Sequence, residues 1–186
     1  MNKTLLIILA VVIIVGGYAW STYNGLVGLS QKVDGQWAQV ENQFQRRFDL
    51  IPNLVSSVQG AMKQEQKVFK DLADARTKYS GAQGVSDKAA AAGDVESALG
   101  RLLVVMENYP QLKSMETVQQ LMAQLEGTEN RIAVERGRFN DLVRDYNTRI
   151  MQVPGNVLAK MFGFSAKTYF KAAEGSAVAP KVQLNQ

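Results

Sequence analysis

Apolar residues run without a break from Thr4 to Trp20 (TLLIILAVVIIVGGYAW), and from Val33 onward they recur at helical intervals among charged residues. The first pattern belongs in a bilayer, whose hydrocarbon core takes about 20 apolar residues to cross. Tyr18, Trp20 and Tyr23 gather at its C-terminal end, as an interfacial aromatic belt does. A cleaved secretory signal is the competing reading, because Lys3 gives a positive start and Gly17-Tyr18-Ala19 a small-x-small triplet. The run, however, exceeds the roughly 7–15 residues of a signal's apolar region. Residues 1–23 are therefore expected to form one transmembrane anchor, and residues 24–32 a juxtamembrane joint that either continues the helix through Leu26 and Leu29 or bends at Gly25 and Gly28, the glycines favouring the bend.

The second pattern predicts helices. Trp37, Phe44, Ile51, Val58, Leu72 and Tyr79 keep a seven-residue frame, and Val40, Leu54, Ala61, Val68 and Ala75 form the companion row. The phase is the same on both sides of Pro52, so Val33–Tyr79 reads as one long run, kinked or stacked at the proline. SGAQG at 80–84 is a turn, and the alanine-rich Lys88–Ala92 leads into a second helix with core positions Val95, Leu99, Leu102, Leu103 and Met106. That helix should stop near Asn108, since Pro110 disfavours a helical Tyr109. Ser114 is a candidate cap for a third helix, Met115–Met151, with Val118, Leu125, Ile132, Phe139 and Tyr146 at seven-residue steps. After Pro154-Gly155, residues Val157, Leu158, Met161, Phe162 and Phe164 predict a shorter fourth helix reaching Phe170, its aromatics buried at the bundle end. Periodicity fades at Glu174, so 174–186 is expected to be a flexible tail.

These elements predict an all-α protein: an N-terminal transmembrane helix followed by a long up-down-up-down four-helix bundle over 33–173. An extended coiled-coil homo-oligomer is the competing architecture. The short Pro/Gly connections and broad apolar stripes favour the intramolecular bundle.

Composition narrows the chemistry. The 186 residues include no His and no Cys, which removes imidazole dyads, thiol nucleophiles, lipoprotein acylation and nearly all zinc sites. Di-iron bundles need Glu-x-x-His, and no glycine-rich loop stands between a strand and a helix to cradle phosphate. No enzyme activity, cofactor, metal site or small-molecule substrate is expected. The formal net charge of +4, from 21 basic and 17 acidic residues, is spread along amphipathic helices without interleaved aromatics, which argues against a nucleic-acid partner.

Three groups of residues stand out. Gln43, Gln45, Arg46, Arg47 and Asp49 crowd the first helix before Pro52, and Glu126, Thr128, Glu129, Asn130, Arg131, Glu135 and Arg136 crowd the middle of the third. Arg47 occupies a core row between Val40 and Leu54. Both clusters read either as solvated faces or as a register device in which Arg47 meets Glu129 or Glu135 inside the bundle. The third group, Gly17, Ser21 and Gly25, is a small-residue stripe at i, i+4 and i+8 that lets membrane helices approach closely, or else ordinary glycine usage. Lys3 and the free amine precede the anchor, while Lys32 is followed closely by Asp34, a balance that slightly favours the bundle outside the cytoplasm.

YNGLVGLSQKVDGQWAQVENQFQRRFDLIPNLV (Tyr23–Val55), RLLVVMENYPQLK (Arg101–Lys113), LEGTENRIAVERGRFNDLVRDYN (Leu125–Asn147) and FGF (Phe162–Phe164) together resemble the LemA family of bacterial membrane proteins. Phe48 and Gly137 are small departures from the expected pattern. The resemblance implies a single-pass protein of the bacterial inner membrane with a helical domain, and no catalytic residues to carry over. The function expected on these grounds is an envelope scaffold or adaptor that meets a protein partner or further copies of itself. The alternative is a lipid-organising role in which Val157–Phe170, with Lys160, Lys167 and Lys171, lies against headgroups.

Overall fold

The structure, a computed structural model, describes residues 3–171. It is all-helical over those residues, with the expected long apolar helix at the N-terminus: α1 Lys3–Val58, α2 Gln66–Gly81, α3 Gly84–Met106, α4 Pro110–Lys113, α5 Glu116–Met151 and α6 Gly155–Met161. The expected tail at 174–186 lies outside the described residues.

α1 departs from expectation in where it ends. It passes through Gly25 and Gly28 without a break, so the 24–32 joint is helical. A glycine costs only about 1 kcal/mol in a helix, and Leu26 and Val33, fully or almost fully buried, hold those turns in place. Pro52 is also accommodated inside the helix. The break comes later, at residues 59–65, where Met62 N–H bonds Val58 O (3.1 Å) and Glu65 N–H bonds Met62 O (3.0 Å). Val33–Tyr79 is therefore two helices, α1 and α2, and in the break Met62 is buried where Ala61 had been expected.

α2 and α3 are joined by only Ala82 and Gln83, with Gly84 at φ +71°, a conformation glycine adopts without strain. The two helices fold back on each other. Lys78 pairs with Asp94 at 2.6 Å and Arg101 with Asp71 at 3.6 Å, so partners descend along α3 as they ascend along α2. α4 begins on Pro110, which needs no amide donor at that position. Ser114 does not cap α5: its hydroxyl turns back to Pro110 O (3.5 Å), and Gln119 N–H bonds Met115 O (3.0 Å). α5 carries Glu116 in its first turn and Arg149 in its last, the signs the helix dipole favours.

The expected fourth helix is helical only to Met161. Gly163 at φ +77° ends it, with Gly163 N–H on Lys160 O (3.2 Å) and Phe164 N–H on Ala159 O (2.9 Å). This Schellman pairing satisfies the last carbonyls and turns the chain out of the helix. Residues 162–171 follow as an irregular strap, and Val157, Met161 and Phe162 are exposed rather than buried at a bundle end.

The chain divides into two compact units, and α1 and α5 contribute to both. The first unit combines α1 up to Gln39 with 137–169. Its core is Leu26, Val33, Phe139, Val143, Tyr146 and Ala159, with Trp37 against Phe139 at 5.2 Å between ring centres. Asn147 fixes the strap by donating to Lys167 O (2.9 Å) and accepting from Lys167 N–H (2.8 Å), while Lys167 Nζ reaches Asp34 (2.5 Å). The second unit combines Val40–Arg136 with Phe170. It buries Phe44, Phe48, Ile51 and Leu54 of α1 with Leu72 and Tyr79 of α2, Val95, Leu99 and Leu102 of α3, and Val118, Leu125 and Ile132 of α5.

Candidate functional site

Arg47 is the only charged side chain that is buried among the described residues. The helical period puts it there: it shares a face with Val40, Phe44, Ile51 and Leu54, all buried. An unpaired guanidinium would be costly in that setting. Arg47 Nη1 meets Glu129 of α5 and, at 3.3 Å, Glu96 of α3. One cation thus ties three helices of the second unit together. Arg47 Nε has no acceptor among the described residues, so the guanidinium is only partly satisfied.

The Glu129 carboxyl is pushed above its ordinary value, first by burial and then by the charge of Glu96, while Arg47 and Arg136 oppose the shift. A cation between two converging carboxylates is an electrostatic clamp. No group of three or more His, Cys, Asp or Glu side chains able to hold a metal occurs among the described residues.

Beside this node lies an open groove of about 700 Å³, floored by Leu99, Met106, Val118 and Leu125 and rimmed by Glu107, Lys113 and Glu126. A second groove, about 570 Å³, is lined by Arg46, Asp49, Thr128 and Arg131. The two polar clusters seen in the sequence are thereby sorted. Arg47 and Glu129 meet directly, and Arg46, Asp49 and Arg131 share the second groove. Glu126 stands on the rim of the first, and Asn130 is exposed. Glu135 is half-buried, and the Arg136 guanidinium lies over the Phe170 ring at 4.4 Å. Asp49 accepts a bond from Gln45 (2.7 Å), and Thr128 donates to Leu125 O (2.8 Å), which spares a buried hydroxyl the loss of its partner.

Sequence reasoning missed Glu96. Its only signal is a carboxylate next to Val95, at the edge of an otherwise apolar face. It also missed the pairing of Lys88 with Glu41 and the placement of Lys88 Nζ over the Tyr79 ring, 5.9 Å from its centre. Burial, and then the Glu41 charge, push the Tyr79 phenol up.

In the first unit, α1 meets the length and composition of a membrane span, with a mean hydropathy of 2.3 over its most apolar window and none of that window covered by the rest of the chain. Ile14 is 70 % exposed and Trp20 74 %, values that leave these side chains without protein neighbours. Gly17, Ser21 and Gly25 lie on this uncovered surface, and a Cβ added at Gly17 or Gly25 would meet nothing within 4 Å. The covered face at that level is instead Thr22 and Leu26.

The model of the LemA family matches residues 36–184. The chain is 30 % identical over 175 residues to each of two Paramagnetospirillum magneticum proteins, magnetosome proteins MamQ 1 and MamQ 2. It is 29 % identical over 174 residues to magnetosome protein MamQ of Magnetospirillum gryphiswaldense. Each comparison covers 80 % of this chain and 64 % of the relative, so the chain spans somewhat less than two thirds of the curated relatives it matches.

Proposed function

This chain belongs to the LemA family, and from that premise we propose that it is a membrane-anchored helical scaffold or adaptor of the cell envelope. One observation carries the reading: the apolar turns of α1 are bare of protein, whereas later turns of the same helix bury Leu26 and Val33 in a packed core. A soluble protein leaves few contiguous apolar patches of that size uncovered. A single-pass anchor that displays helical units to partners is the economical use of such a chain. The grooves beside Arg47 and around Arg46, Asp49 and Arg131 are the surfaces offered for recognition. The stripe Gly17, Ser21 and Gly25 is a contact between copies in the bilayer. The basic balance around the anchor supports helical units outside the cytoplasm, as in the sequence reading.

The test is extraction and crosslinking in native membranes. The full chain should stay in the membrane pellet through alkaline carbonate washing, and removing 4–20 should release it. Release of the full chain by carbonate would overturn the anchor. A photo-crosslinker at Glu126 should trap one defined partner band, and Arg46→Glu with Arg131→Glu should abolish it. Only diffuse products, unchanged by those reversals, would overturn the adaptor role. A periplasm-dependent reporter at the C-terminus reads the sidedness directly.

A further inference from the structure

The first unit exposes a second apolar surface, at the corner where α5 gives way to α6. Gly155 and Ala159 are the buried face of α6, and Val157 and Met161, four residues apart, are its outward face, 65 % and 66 % exposed. Val153 just before the helix is 82 % exposed. Phe162 just after it packs edge-on against Tyr23 at 5.1 Å, and Phe164 lies 5.8 Å from the same ring.

Tyr23 fixes the depth of this corner. It lies three residues beyond Trp20, the end of the apolar run, which is about 4.5 Å along the helix axis. The interfacial layer on each side of a hydrocarbon core is about 5–8 Å thick. Phe162, in contact with Tyr23, therefore lies at headgroup depth whenever Thr4–Trp20 fills the core. The charge agrees: residues 146–169 contain Arg149, Lys160 and Lys167 and no acidic side chain, and although Lys167 is engaged by Asp34, Arg149 and Lys160 keep the corner basic. An exposed apolar surface with cations beside it is what an anionic interface selects.

We propose that the α5–α6 corner is a second membrane contact, in which Val153, Val157, Met161 and Phe162 enter the headgroup layer beside the exit of α1 and Lys160 meets anionic lipid. The inference rests on the anchor reading, because the span sets the depth. It adds that the first unit does not swing freely on its helix but lies down on the lipid surface at two points.

The chain has no cysteine, so single cysteines carrying a polarity-sensitive fluorophore can be placed at Val12, Met161 and, as an exposed apolar control in the second unit, Val104. The full chain is reconstituted into vesicles of mixed neutral and anionic phospholipid that carry a nitroxide near the headgroup. Quenching at Met161 should exceed that at Val104 several-fold, and Val12 should respond to a nitroxide deep in the acyl chains. If Val12 is quenched but Met161 behaves like Val104, the second contact is overturned and the anchor stands. If Val12 also escapes quenching, both readings fail. A blue-shifted Met161 label that no lipid nitroxide reaches overturns the lipid contact in favour of a protein covering that face. Val157→Asp in the Met161-labelled chain should cut the quenching several-fold with helix content unchanged by circular dichroism. Unaltered quenching in that variant would count against the proposal.

Discussion

Arg47 costs the second unit a desolvated cation and returns an alignment of three helices. Glu129 and Glu96 keep 39 % and 32 % of their side-chain surface in water, so the clamp is weaker than a fully buried pair. Arg47→Met should nevertheless destabilise the full chain in detergent by about 1–3 kcal/mol, below the 3–5 expected for a fully buried pair, measured by urea unfolding. Arg47→Glu and Glu129→Arg should each destabilise more than the two together, and strict additivity would deny the pairing any energetic coupling. The row holding Arg47 and the heptad phase of Glu129 are legible in the sequence, because phase along one helix is a matter of counting. Glu96 is not, because the rotation of α3 relative to α1 is set by packing and by the two-residue turn after α2. Tyr79 offers a pH test. Its phenol is buried against Phe48 at 4.5 Å, its hydroxyl lacks a partner among the described residues, and its folded form holds the proton well above the ordinary value of 10.0. The unfolded chain loses that proton first, so stability falls as pH rises past 10. Tyr79→Phe should be neutral or stabilising by up to about 1 kcal/mol at pH 7 and should flatten the alkaline decline; an equally steep decline in Tyr79→Phe would assign it to other groups.

Helices are legible where periodicity is long and uninterrupted, as in α5, whose five seven-step residues from Val118 to Tyr146 are all buried. The break after α1 escaped for a specific reason. Residues 59–65 are seven in number, one full heptad, so Val58 and Leu72 keep the same frame although the helix stops between them. Only the polar run Lys63, Gln64 and Glu65, following Gly60, marked the spot. The end of α6 escaped because Val157, Leu158, Met161 and Phe162 have helical spacing, while the stop signal is the backbone of a single glycine. Gly163→Ala should cost about 1 kcal/mol, since φ +77° strains any residue with a Cβ. Gly100→Ala, at an exposed helical position with open space around it, should stabilise by a similar amount. Equal effects at the two glycines, read by urea unfolding, would remove the Schellman turn as the cause.

For the molecule as a whole, the bare apolar turns of α1 dominate everything else about where the chain can reside. If the small-residue stripe brings copies together, Gly17→Ile with Ser21→Ile should lower energy transfer between labelled chains in vesicles several-fold while leaving membrane insertion intact. Unchanged transfer would place any self-association elsewhere. The long apolar helix at the N-terminus was legible because composition alone states it. The partition of the chain was not, because hydrophobic spacing carries no record of which stretches of α1 and α5 share a core. That partition also sets an order of events. The second unit is built almost wholly from a continuous stretch, Val40–Arg136, whereas the first needs both Met1–Gln39 and Gly137–Tyr169. On a ribosome adding about 5–20 residues per second, the central stretch can begin to pack while the earlier residues, Leu26 and Val33 among them, still wait some seconds for Phe139 and Tyr146 to emerge. The nascent chain therefore carries its apolar lead segment complete while the core adjoining it is still unfinished.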